Sequence, residues 1–248
     1  MSLEFESDLH THTIFSHGRG TIEDNVKAAI ACGLKKIGIS DHGPGHVGFG
    51  VSRKKLAEMK DEIIRLRKEY PGIEILFGLE ANIFTPLGNL DVKPEDFEYF
   101  DFVCAGWHYG SFDGMTLAGI GRTLENFARS TAEKASKKQI RRNTDAVVRA
   151  LETNDIMFLT HPGDKAPIDL RHVAEICAKT GTLIEINTRH MSLSLDDIKM
   201  LMSTDVKFIV NSDAHSPKRV GDFEMGAELI EASGLDHSRV VNLTETGG

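Results

Sequence analysis

Short apolar and β-branched runs alternate with longer amphipathic stretches from one end of the chain to the other, the pattern of strands joined by crossover helices in a parallel sheet. Seven runs read as strands, at 7–13, 35–41, 74–82, 100–108, 157–161, 183–188 and 207–213. Thr21-Ile22-Glu23-Asp24 is a capping start for the first helix, and Gly33 sits where its left-handed stop belongs. Ser52 to Tyr70 spaces Leu56, Met59, Ile63, Ile64 and Leu66 among Lys, Arg and Glu and ends at Pro71-Gly72, a second helix. The stretch from Arg122 to Thr153 holds one long helix or two, divided at the polar segment from Ser130 to Lys138. Asp169 and Ser194 read as N-caps of the next two helices and Gly181 as a stop. Pro217 to Ser233 supplies the last large helix, before a minor strand or tail at Val240 to Leu243. Phe84 to Phe97, with Pro86, Gly88 and Pro94, is a turn-rich excursion, either a connector or a lid edge.

No repeat or linker interrupts this alternation, so the expected fold is α/β: one domain over 1–248, a distorted (βα)7 TIM-like barrel of parallel strands. Hydrophobic residues at 40% are ample for its core. A formal charge of −8 with no concentrated Lys/Arg patch argues against nucleic acid as a partner. Bound cations would change that balance, since three divalent ions add about +6 and bring −8 to about −2. Cys32, Cys104 and Cys177 are isolated and odd in number, which excludes a disulfide framework or CxxC knuckle and suits a reducing cytoplasm. Cys104, on the fourth strand, reads as a small core residue. Neither a leader-like start nor a membrane-length apolar run is present, so the expectation is an unexported protein without a membrane partner.

The chemistry lies where the strands end, which in parallel α/β barrels is where functional groups gather. The first strand closes on His10-Thr11-His12, and residues two apart on a strand point the same way, so both imidazoles can grip one ion. His17 follows in the Gly-containing loop Ser16-His17-Gly18-Arg19-Gly20-Thr21. The second strand opens into Asp41-His42-Gly43, where His42 can ligate while Asp41 orients a neighbour. Glu80 ends a run too apolar to leave a carboxylate unpartnered, which favours a bridging ligand or a buried ion pair. His108 and His161 end the fourth and fifth strands, and Asp213-Ala214-His215 ends the seventh with the alternate-residue geometry of the first. These nine groups exceed the three or four protein ligands one zinc needs, so two or three ions are implied. A nitrogen and oxygen set without thiolate suits zinc, with manganese or iron also compatible. His46, His172 and His237 have no strand-end context and are expected to be solvated.

Asp8-Leu9-His10-Thr11-His12-Thr13, Ser40-Asp41-His42, Gly78-Leu79-Glu80, Thr160-His161-Pro162-Gly163 and Ser212-Asp213-Ala214-His215 together resemble the PHP (polymerase and histidinol phosphatase) family. The resemblance is strongest to its stand-alone bacterial phosphatases, with three zinc ions in a distorted seven-stranded barrel. It implies one ion on His10, His12, Glu80 and Asp213, a second on His17, His42 and His215, and a third on the bridging Glu80 with His108 and His161. The stretch from His12 to His17 is a residue shorter here than in that branch. The implied activity is hydrolysis of small phosphate esters by a metal-activated hydroxide. Arg19 and Arg189 are the candidate contacts to phosphate oxygens, their planar forks matching that group, with Lys165 a weaker one. Asp41 is a candidate for orienting His42 or relaying a proton, and His190 reads as a leaving-group acid or an exposed loop histidine.

Competing readings are an amidohydrolase, which would want a carboxylated Lys where Trp107-His108 stands, a nuclease, and a non-catalytic metal-stabilised module. Within phosphatases, histidinol phosphate is the alternative specific substrate. The sequence sets no oligomeric state.

Overall fold

The apolar runs form seven short strands: β1 Ser7–Asp8, β2 Lys36–Ile39, β3 Glu74–Asn82, β4 Phe102–Gly106, β5 Phe158–Leu159, β6 Leu183–Asn187 and β7 Phe208–Asn211. In this computed structural model, which describes residues 3–110, 117–129 and 135–244, they lie side by side in chain order, every neighbouring pair parallel. The sheet nearly closes on itself beyond the ends of β1 and β7. There Thr11 bridges Ala214, with His12 N–H donating to Ala214 O at 2.8 Å and Ala214 N–H to His10 O at 3.1 Å. Lower down the seam side chains replace the ladder: Leu9 N–H donates to Asn211 Oδ1 at 2.9 Å and Ser212 N–H to Asp8 Oδ1 at 3.1 Å.

Helices cover the outside: α1 Ile22–Ala31, α2 Arg53–Glu69, α3 Leu117–Ala128, α4 Lys137–Thr153, α5 Leu170–Thr180, α6 Leu195–Leu201 and α7 Glu224–Ser233. Thr21 with Asp24 and Ser194 with Asp197 make full capping boxes, and Ser52 and Asp169 cap α2 and α5. The span from Arg122 to Thr153 resolves into α3, which begins earlier at Leu117, and α4; 130–134 lie outside the described residues. Pro217 does not begin a long helix. Pro217–Arg219 makes a single 3-10 turn, Gly221 takes φ 76°, and α7 starts only at Glu224. The tail makes only single bridges, Val240 to Phe208 and Leu243 to Phe5.

The excursion after β3 is a packed connector rather than a lid. Ile83 bridges Leu90, Arg149 of α4 donates to Pro86 O at 3.2 Å, and the Asp91 carboxylate accepts from Asn82 N at 2.8 Å and Gly45 N at 2.9 Å. One apolar core fills the space between helices and sheet. A second plugs the barrel lumen with Leu9, Phe102, Cys104, Phe158 and Ile209, and so gives the mouth of the barrel a dry floor.

Candidate metal centre

Above that floor the ends of β1, β2, β3, β4, β5 and β7 deliver imidazoles and carboxylates to one spot. Glu80 stands at its centre. Its Oε1 lies 3.1 Å from His108 Nε2, 3.1 Å from His161 Nε2 and 3.3 Å from His10 Nε2; its Oε2 lies 3.0 Å from His42 Nδ1 and 3.5 Å from His12 Nε2. Asp213 Oδ1 is 3.3 Å from His12 Nε2 and 3.2 Å from His215 Nδ1. His10 and His12 bring their Nε2 atoms to 3.1 Å, and His17 Nε2 comes to 2.5 Å from His215 Nε2. His17 reaches inward because the loop doubles back on β1: Gly18 N–H donates to Thr13 O at 2.8 Å, and a Cβ on Gly18 would lie 2.5 Å from His12 O. All nine expected residues thus converge.

Among the described residues, three sets have ligand atoms within 4.8 Å of one another: His12, His17, His42 and His215; His10, His12 and Asp213; and His42, Glu80 and His108. His12 and His42 each stand between two sets, so the clusters are continuous.

Behind these groups, partners fix which nitrogen faces inward. His10 Nδ1 hydrogen-bonds Glu185 Oε1 at 2.7 Å, His108 Nδ1 pairs with Asn82 Oδ1 at 2.8 Å, and His215 Nδ1 with Asp213 O at 2.9 Å. Each leaves Nε2 to the centre, the usual way of aiming a ligating imidazole. Glu185, on β6, was not singled out in the sequence. It is fully buried and also accepts from His161 N–H at 2.8 Å, Asn187 Nδ2 at 2.9 Å and Asn211 Nδ2 at 3.0 Å. Like Glu80 it is an acid among apolar strand residues, but it lies within β6 rather than at the end of an apolar run. His161 and Asp213 have left-handed backbone, φ 27° and 49°, a cost of about 1–3 kcal/mol each that marks sites held in shape by their surroundings.

Electrostatics divide the imidazoles. Burial opposes charge on His10, but Glu185, Glu80 and Asp213 overcome it and hold its pKa well above the ordinary value. For His12, the facing carboxylates of Asp213, Asp41 and Glu80 likewise outweigh burial and raise it to about 9. His161 is raised in the same way, chiefly by Glu80 against burial. His17 falls to about 3 through burial and the neighbouring His12 and His42 charges, and His108 to about 3 chiefly through burial. Burial also works against Glu80 and Asp213, yet the facing imidazoles keep both below the usual carboxylate range.

Glu80 Oε2 and Asp213 Oδ1 are buried without a hydrogen-bond donor. Facing lone pairs at such distances repel unless protons or cations lie among them, so this nitrogen and oxygen set fits divalent metal ions.

Several residues differ from expectation. Asp41, just past the end of β2, bonds to the segment after β1 rather than to His42. It accepts from Thr13 N at 2.8 Å and Thr13 Oγ1 at 2.5 Å, binds Ser16 Oγ, and has Oδ1 3.8 Å from His12 Nδ1. Its hydrogen bonds thus tie down Thr13 and Ser16, in the loop that follows His12. His46 is buried, not solvated: the Gly-rich loop folds over the mouth and stacks it on His42 with centroids 5.3 Å apart. His190 is half-buried in the cleft rather than exposed, with Nδ1 3.1 Å from Asp164 and Nε2 3.3 Å from Asp213. His172 and His237 are exposed, and Cys104 is a buried core residue.

A cleft of about 170 Å³ opens over the ligand cluster, bounded by Phe49, Tyr109, Lys165, Arg189 and His190. Arg19 lines an adjoining cavity of about 460 Å³ that shares His17, Arg189, Asp213 and His215 with the cleft.

Fold and donor set define a parallel α/β barrel with a metal-binding mouth. A model of the PHP domain matches residues 8–189, and the chain belongs to that family. A probable phosphatase of Thermoanaerobacter sp. (strain X514) is 30% identical, the match covering 97% of this chain and 91% of the relative. A probable phosphatase of Shewanella frigidimarina (strain NCIMB 400) is 28% identical over 97% of this chain and 90% of its own. The crystal structure of histidinol phosphate phosphatase from Lactococcus lactis, complexed with zinc, L-histidinol and phosphate, superposes with a TM-score of 0.62. It is 19% identical, and the match covers 93% of this chain and 94% of that one. Among the described residues, no helix is long and apolar enough to cross a membrane.

Proposed function

We propose that this chain is a metal-dependent phosphatase acting on small phosphate monoesters, with zinc the favoured metal and three ions the favoured count. The observation that carries the reading is the convergence of nine imidazole and carboxylate groups from six strand ends around the buried, donorless oxygens of Glu80 and Asp213. The phosphatases among its relatives support the same chemistry. His10, His12, Glu80 and Asp213 would hold one ion, His17, His42 and His215 a second, and Glu80, His108 and His161 the third. Bound cations of this kind neutralise phosphate charge and lower the pKa of water, the two obstacles to attack on a phosphoester.

The chain's own groups do the rest. Arg189, at the lip of the cleft with Nη1 3.5 Å from Asp213 O, holds phosphate oxygens with its fork. Lys165, paired with Asp164, adds positive charge on the opposite lip. His190, between Asp164 and Asp213, faces the cleft where a leaving alcohol needs a proton. Asp41 and Glu185 position His12 and His10. A protein confined to the cytoplasm, without nucleic acid as partner, is the setting this chemistry suits.

The test is phenyl phosphate hydrolysis by metal-loaded protein. His12→Ala or Asp213→Ala should abolish turnover while circular dichroism stays that of the parent. Near-normal turnover by either loaded variant would refute the assignment.

A further inference from the structure

The cleft above the ligands is too small for a whole substrate. Small-molecule sites occupy about 300–1,000 Å³, and this one offers about 170 Å³, room for the phosphoryl group and little else. The alcohol portion must therefore extend into a neighbouring space. The adjoining cavity of about 460 Å³ shares a wall with the cleft, and its far side carries Arg19, Ser216 and Arg219. With Arg189 at the boundary, three guanidinium groups face one small cavity in a chain whose net charge is −8.

The loops bearing them are locked together. Arg19 N–H donates to His215 O at 2.9 Å, and Gly20 lies so close under Pro217 that a Cβ there would come within 2.5 Å of the ring. Among the described residues Arg19 and Arg189 have no carboxylate partner, and Arg219 is paired only with the part-exposed Asp222 at 2.9 Å. Among the described residues, Asp213, committed to the ligand cluster, is the one acid on the cavity wall.

We propose that this cavity is a specificity site for a second oxyanion, so that the preferred substrates are phosphate esters whose alcohol portion carries a carboxylate or another phosphate. The inference rests on the phosphatase reading above. Arg19 and Arg219 grip the remote anion, their planar forks suiting either group, and Ser216 supplies a hydroxyl beside them. The same charge disfavours alcohols bearing an ammonium group.

The test compares kcat/KM of the metal-loaded enzyme for glycerol phosphate, phosphoglycerate, propanediol bisphosphate and ethanolamine phosphate. Phosphoglycerate or the bisphosphate should exceed glycerol phosphate by about tenfold or more, and ethanolamine phosphate should be the poorest. Which of the two leads identifies the remote group. Arg19→Gln and Arg219→Gln should each cut that preference about tenfold. Arg219→Gln loses only a surface ion pair, a small stability effect, and Arg19→Gln loses none. Equal rates for all four compounds, or an unchanged preference in both variants, would overturn the proposal. If no ester is hydrolysed, the phosphatase reading fails separately. Calorimetric binding of phosphoglycerate then decides: about tenfold weaker binding to Arg219→Gln upholds the anion site, and equal binding ends it.

Discussion

Replacing Glu185 by Gln keeps the shape of the side chain and removes its charge at the point where four donors meet. His10 Nδ1, His161 N, Asn187 Nδ2 and Asn211 Nδ2 all lie within 2.7–3.0 Å of its two oxygens. An amide keeps one oxygen and turns an NH₂ towards donors at the other, so at least one charge-assisted bond, about 1.5–3 kcal/mol, is lost. Because His10 is aimed through that bond, the loss should appear as about 10- to 100-fold weaker metal binding, the range for partners behind metal ligands. Zinc affinity by chelator competition, followed by kcat/KM for phenyl phosphate at limiting and at excess zinc, separates positioning from general damage. The account expects much of the activity to return at excess zinc. Unchanged affinity, or activity that stays lost in fully loaded protein, would refute the positioning role.

Other outcomes follow from the same geometry. His12, raised to about 9, is protonated in metal-free protein at pH 7, and the acids around His10 and His161 shift both in the same direction, so metal binding must release protons. Calorimetry in buffers of different ionisation enthalpy should show this, and a buffer-independent heat would contradict it. The stabilisation from charged His12 is full below its ordinary 6.5 and lost as pH rises through about 9. The melting temperature of metal-free protein should therefore fall across that window and the gap to loaded protein widen; a constant gap would count against the charge assignment. Phe158→Ala, at the lumen floor beneath His10, should cost about 3–5 kcal/mol in urea unfolding, and a cost below about 1 kcal/mol would show that the plug does not support the mouth.

Much of the fold was legible because hydrophobic spacing marks crossover units, and the capping residues Thr21, Ser52, Asp169 and Ser194 announce helix starts without tertiary help. The convergence of the mouth was legible too, since acids and imidazoles at the ends of apolar strands have few other solutions. Strand lengths were not. Leu9 N–H, Thr13 N–H and His161 N–H bond to Asn211, Asp41 and Glu185 side chains instead of a neighbouring strand, so β1 and β5 shrink to two residues each. Glu185 escaped notice because it lies inside β6 rather than at its end. The burial of His46 depends on how a Gly-rich loop folds over His42, which no local pattern encodes. The late start of α7 comes from Gly221 in left-handed backbone, a turn inside an otherwise helix-like run.

The most direct measurement is a crystal structure of zinc-loaded protein with anomalous scattering recorded at the zinc edge. The account predicts metal peaks at the barrel mouth at about 2.0–2.2 Å from Glu80, Asp213 and the surrounding imidazole nitrogens. Protein that diffracts well from zinc-containing solution yet shows no anomalous peak within coordination distance of Glu80 would contradict it.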